Sequence, residues 1–136
     1  MISVLIGSKS DERKLQKSGL LKLLKNFGFD YEFVIISSDR NPEELRNYCL
    51  NNKKRIGLAI AIAGGVPNLP IVVKSWLPDI PVICVPIDNN PDFALAALTT
   101  PKDRPIIVVG YGITGLQKAA YTAKQILSVR NSDVKA

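Results

Sequence analysis

The residues best suited to chemistry in this chain sit in four short stretches, each following an apolar run. In Gly7-Ser8-Lys9-Ser10-Asp11 a glycine precedes two hydroxyls at a helix start. Free backbone N–H groups, hydroxyl donors and the positive end of a helix dipole together favour a phosphate. Capping of that helix by Ser10 or Asp11 would use the same residues equally well. In Ser37-Ser38-Asp39-Arg40-Asn41-Pro42, Arg40 offers a planar fork for phosphate or carboxylate, and Asp39 is an available proton acceptor. Asn41 as N-cap and Pro42 at the first helical position explain the end of this stretch and leave Asp39 and Arg40 unexplained.

The third stretch is Ala63-Gly64-Gly65-Val66-Pro67-Asn68-Leu69-Pro70. Paired glycines let a planar ligand approach the backbone, and Asn68 can both donate and accept. A glycine-rich turn between buried elements would need the same pattern. The fourth, Gly110-Tyr111-Gly112-Ile113-Thr114-Gly115, matches the dinucleotide-binding fingerprint letter for letter. That fingerprint belongs after the first strand of a unit, with an acidic residue closing the next strand. Here a last helix follows, and Asp133, at a plausible count, lies on a tail. A nicotinamide cofactor is therefore not expected, nor any other cofactor.

Composition removes several chemistries. The chain has 136 residues and no histidine, which excludes Ser-His-Asp triads, Cys-His dyads and His-ligated zinc. Carboxylates, hydroxyls, amines or backbone must do the work. The two cysteines, Cys49 in a helical pattern and Cys84 in an apolar run, lack Cys-x-x-Cys spacing. They read as buried thiols in a reducing compartment, so neither a metal site nor a disulfide is expected. A formal charge of +6 suits a solvated basic surface or a phosphorylated small ligand. Nucleic acid ranks below both, because the lysines are scattered and aromatic residues are few. No apolar run approaches about 18 residues, so no membrane span is expected. The apolar start, Met1 to Gly7, reads as a strand rather than a secretion signal. A cytoplasmic protein is expected.

The elements that must position these stretches alternate. Strands are predicted at Ile2 to Ile6, Tyr31 to Ile36, Ile56 to Ala63, Pro81 to Val85 and Pro105 to Val109. Helices are predicted at Asp11 to Phe27, with Leu20, Leu23, Leu24 and Phe27 on one face, and at Pro42 to about Asn52, with Leu45, Tyr48 and Cys49 inward. Further helices are predicted at Leu69 to Trp76, Phe93 to Leu98 and Thr114 to Val129, the last with Leu116, Ala119, Ala120, Ala123 and Leu127 on one face. Such alternation implies right-handed crossovers and a single α/β domain over 1–129: a three-layer, doubly wound parallel sheet of about five strands, flavodoxin-like or Rossmann-like. Arg130 to Ala136 is expected to be a frayed tail. Ligands of such sheets bind beyond the carboxyl ends of the strands, which is where all four stretches fall.

Taken together, the first three stretches resemble the PurE family, which handles aminoimidazole ribonucleotide in purine biosynthesis. That family opens with a strand and Gly-Ser-x-Ser-Asp, matched by Gly7 to Asp11. Its Ser-Ala-His-Arg-x-Pro corresponds to Ser37 to Pro42, and its Gly-Gly-x-x-His-Leu-Pro-Gly to Gly64 to Ile71. Pro81 to Ile87 resembles the family's Pro-Val-Ile-Gly-Val-Pro segment, and Gly112 to Leu127 its final Gly-x-x-Gly and Gln-Ile-Leu helix. The resemblance implies that Ser8, Ser10 and Arg40 hold the ribonucleotide phosphate and Asp11 the ribose. It implies that Ser37 and the Ala63, Gly64 and Gly65 backbone shape the ring pocket, with Asn68 and Leu69 in the same motif.

Asp39 stands where the family has its proton-transfer histidine, and Asn68 where it has a second. Ile71 replaces a motif glycine. The segment from Ile87 to Pro101 is shorter than the family's loop and carries Asp88, Asn89, Asn90 and Asp92. The resemblance implies a carboxylase or mutase with Asp39 as the acid–base group, and a homo-octamer. A non-catalytic relative keeping the phosphate grip is the alternative. An aspartate works as a base near neutral pH only where burial raises it, by up to about 3–5 units, and Arg40 beside Asp39 opposes that.

Overall fold

Strands β1 (Ile2–Ile6), β3 (Leu58–Ala63) and β4 (Val82–Pro86) are buried at every position. Strands covered on both faces need no polar alternation, and their near-continuous apolar runs follow from that. The computed structural model describes residues 1–129; the tail Arg130 to Ala136 lies outside the described residues. Strands β2 (Tyr31–Ile35) and β5 (Ile107–Val108) flank the three central ones in the order β2-β1-β3-β4-β5. Every pairing is parallel, so the sheet is flavodoxin-like and the α/β expectation holds.

Two helical layers cover the sheet. On one face, α1 (Glu12–Ser18), α2 (Leu20–Asn26) and α6 (Gly112–Leu127) pack on Val4, Ile6, Ile60 and Ile62. On the other, α3 (Pro42–Asn52) and α4 (Asn68–Trp76) pack on Leu5, Ala59 and Ala61. The isoleucines of β3 share one core cluster with Ala119, Ala120 and Ala123 of α6, and Ala59 and Ala61 of β3 share the other with Leu69 and Val73 of α4. Helix α5 (Pro91–Ala97) follows β4 and starts at Asn90, whose side chain accepts from the Asp92 N–H.

Several expectations need correction. The first helix is not continuous: after a 3₁₀ turn at Lys9–Asp11 it breaks at Gly19, whose φ is 74°. Ser18 holds the break by donating to the Leu15 carbonyl at 2.5 Å and accepting from the Leu20 N–H at 3.1 Å. Gln117 of α6 donates to the Ser18 carbonyl at 3.2 Å, tying the break to its neighbour. β5 is only Ile107–Val108, because Pro105 has no N–H to offer a ladder. β3 begins at Leu58 rather than Ile56, and α5 starts earlier than Phe93.

Leu127 is exposed, and Ile126 packs against the core in its place. Tyr48 faces inward as expected, half-buried against the core, with its hydroxyl bonded to that of buried Ser3 at 2.8 Å. Cys49 and Cys84 are buried thiols that burial pushes up to about 11 and about 12, so they are chemically quiet.

Candidate active site

The chain leaves β1 toward the α1 layer and leaves β3 toward the α4 layer, so their carboxyl ends part at the switch point of the sheet. The loops after β1, β2 and β3 enclose a cleft of about 400 Å³ there. From the first loop Ser8, Ser10 and Asp11 line it. Ser37, Asp39 and Arg40 enter from the second, and Ala63, Gly64, Asn68 and Leu69 from the third. Three stretches far apart in sequence thus share one concavity.

Local structure explains which of their groups remain available. Ser8, not Ser10 or Asp11, caps the first turn, accepting from the Ser10 N–H at 3.3 Å. Asp11 makes no capping bond, so its carboxyl is free to face the cleft. The Ser8 and Ser10 hydroxyls are 2.8 Å apart. In the second loop buried Ser37 accepts from the N–H groups of Asp39 and Arg40, at 3.2 and 3.1 Å. That serine turn, and not the Asn41 side chain, which makes no capping bond, aims the loop.

Arg40 crosses to the first loop and donates from Nη2 to the Gly7 carbonyl at 3.0 Å. Its other N–H donors are not used in that bond, and Arg40, Ser8 and Ser10 all line the cleft.

The carboxyls differ in surroundings. Asp39 is exposed and Asp11 is partly buried. Burial first, then the negative charge of Asp88, raises the Asp11 carboxyl above its ordinary value, with Lys14 opposing. Gly64 borders this carboxyl: a Cβ there would stand 3.4 Å from Asp11 Oδ2, in ordinary contact. The Gly65 backbone does not line the cleft: its N–H donates to Asp88 Oδ2 at 2.6 Å. Ser38 and Val66 line the cleft and were not singled out from sequence. Asp88 was noted from sequence only as one of the polar residues in the segment from Ile87 to Pro101, with no role; its further signal is its position, an acid just past the carboxyl end of a central strand.

The fingerprint-like stretch is packing. A Cβ on Gly115 would lie 2.6 Å from the Gly110 carbonyl carbon, and one on Gly110 would lie 3.0 Å from the Gly115 Cα. The two glycines let α6 press against the backbone leaving β5, and Gly112, at φ 65°, makes the turn between them.

Sheet order and cleft together define a flavodoxin-like α/β protein with a polar crevice at its switch point. The chain belongs to the AIR carboxylase family, whose pattern matches residues 1–136. It is 37% identical to the N5-carboxyaminoimidazole ribonucleotide mutase of Pyrococcus abyssi, over 98% of this chain and 77% of that one. It is 36% identical to the enzyme of the same name from Saccharolobus solfataricus, over 98% of this chain and 84% of that one. In fold it is similar to the crystal structure of Treponema denticola PurE2-S38D, with a TM-score of 0.79 at 22% identity. That likeness covers 96% of this chain and 81% of the other.

Proposed function

We propose that this chain is a purine-biosynthesis enzyme that moves a carboxyl group from the exocyclic nitrogen of carboxyaminoimidazole ribonucleotide to the ring carbon. The observation that supports this is the Arg40 bond to the Gly7 carbonyl, which ties the guanidinium to the loop that carries Ser8 and Ser10. Ser8, Ser10 and Arg40 hold the phosphate, and Asp11 accepts from the ribose hydroxyls. Ala63 and Gly64 backbone, with Ser37, Asn68 and Leu69, border the ring. The Gly65 amide, engaged by Asp88, leaves that wall to its neighbours.

In the transfer, the exocyclic C–N bond breaks to release carbon dioxide, and the nitrogen regains a proton. The ring carbon then attacks carbon dioxide to form a C–C bond and sheds its own proton. One proton is taken up and one released, and Asp39 at the cleft wall is the acid–base group for both. No net charge or electron is exchanged, and no step calls for a cofactor.

The reading includes a cytoplasmic location and assembly into a homo-octamer, which would cover the exposed Leu95 and Leu98 at α5. In the described residues no helix is long and apolar enough to cross a membrane. Light scattering giving a monomer would remove the assembly. The functional test is an ultraviolet assay of ring carboxylation, run side by side with the carboxyamino substrate and with aminoimidazole ribonucleotide plus bicarbonate. Turnover of the first substrate is expected. Turnover of the second alone would make the chain a direct carboxylase, and turnover of neither would overturn catalysis.

A further inference from the structure

Two adjacent glycines of the third loop each lie near a carboxyl group from a different part of the chain. Gly64 borders Asp11, whose oxygens would be in ordinary contact, at 3.4 and 3.6 Å, with a Cβ placed on it. Gly65 donates its N–H to Asp88 Oδ2 at 2.6 Å. We propose that Asp88 is a positioning residue of the substrate site, acting through the Gly64–Gly65 turn on the Asp11 carboxyl. This rests on the sugar-phosphate reading of the cleft.

The sheet itself delivers Asp88. Ala63 of β3 is in register with Pro86 of β4, and the Ile87 N–H continues the ladder to the Ala63 carbonyl at 2.9 Å. The next residue along is therefore beside the turn that follows Ala63. Asp88 has no structural task at the helix behind it, because Asn90 caps α5. Its bond to Gly65 is short, as a carboxylate accepting from a backbone amide should be. Gly65 has φ 66°, a conformation that side-chain-bearing residues rarely adopt, so the turn needs both the glycine and an anchor for its amide.

The charged groups found to act on Asp11 are Asp88, which raises its carboxyl, and Lys14, which lowers it; burial outweighs both. Removing the Asp88 charge lets Asp11 ionise at lower pH. Removing the acceptor as well releases the turn that borders it.

The test separates these effects. Asp11 is titrated by carboxyl-carbon NMR in the wild type and in Asp88→Asn, which keeps an acceptor oxygen without the charge. Binding of ribose 5-phosphate is measured by calorimetry in both and in Asp88→Ala. The Asp88→Asn variant should move the Asp11 midpoint to lower pH, a change that a purely structural role would not produce. Asp88→Ala should weaken ribose 5-phosphate binding by roughly tenfold or more, and Asp88→Asn by less, since the acceptor for the Gly65 amide is lost only in the former. An unmoved Asp11 midpoint in Asp88→Asn overturns the proposal, and this holds whether or not Asp88→Ala folds. Wild-type affinity in Asp88→Ala also overturns it. Wild-type protein that ignores ribose 5-phosphate, while Asp88→Asn still moves the midpoint, overturns the sugar-phosphate reading and leaves the coupling of the two carboxyls standing.

Discussion

Arg40→Ala is the most telling perturbation of the cleft, because its expected effects on binding and on stability differ so widely. Within the protein the side chain is exposed and makes one hydrogen bond, to the Gly7 carbonyl at 3.0 Å. Loss of a surface contact of that kind shifts stability by no more than about 0.5 kcal/mol. Toward a phosphate the same guanidinium presents a charged, forked donor, and a hydrogen bond to a charged group contributes about 1.5–3 kcal/mol. The variant should therefore bind aminoimidazole ribonucleotide at least about tenfold more weakly, with an unchanged melting temperature. Arg40→Lys keeps the charge without the fork and should fall between. Isothermal calorimetry alongside thermal denaturation measures both. An unaltered dissociation constant in Arg40→Ala would refute the phosphate role, and a loss of affinity that merely tracks a loss of fold would refute the reasoning behind it.

Three further outcomes are expected. Asp39→Asn should reduce turnover about 100- to 10,000-fold with ribonucleotide binding retained; full turnover in that variant removes Asp39 from proton transfer. Gly115→Ala should destabilise the fold by about 1–3 kcal/mol, because the new methyl would meet the Gly110 backbone at 2.6 Å. Chemical denaturation showing wild-type stability would return the glycine pattern to a ligand-binding interpretation. Asp11 carries a raised carboxyl, so the native state holds this proton more tightly than the unfolded chain, and stability falls as pH rises from the unfolded value through the folded one. Asp11→Asn removes that penalty, so it should stabilise the protein at pH 7 relative to wild type more than at pH 3. Equal effects at both pH values would contradict the assignment.

Much of the fold was legible because β1, β3 and β4 are apolar but for Ser3 and the helices between them are amphipathic. The cleft was legible for a topological reason: glycines, hydroxyls and Arg40 all follow strand ends, and a parallel sheet gathers those ends on one side. Other features depend on contacts that spacing does not encode. The break at Gly19 relies on Gln117, whose bond to the Ser18 carbonyl spans 99 positions in sequence. Asn41 holds the N-cap position of α3 without a side-chain bond, and the loop before it is held by Ser37, which is buried where it can reach the Asp39 and Arg40 amides. Spacing did not show which cleft carboxyl would be buried: Asp39 lines the cleft but is exposed, whereas Asp11 is partly buried and its carboxyl is raised. Asp88, named from sequence without a role, gained its partner only once the register of β3 and β4 set it beside Gly65.

The most direct measurement is a crystal structure with aminoimidazole ribonucleotide bound. Its phosphate should lie between the Ser8 and Ser10 hydroxyls and the Arg40 guanidinium, with the ribose at Asp11 and the ring against Ala63 and Gly64. A phosphate found instead at the Gly110–Gly115 turn, or anywhere outside the cleft formed by the first three loops, would contradict the account.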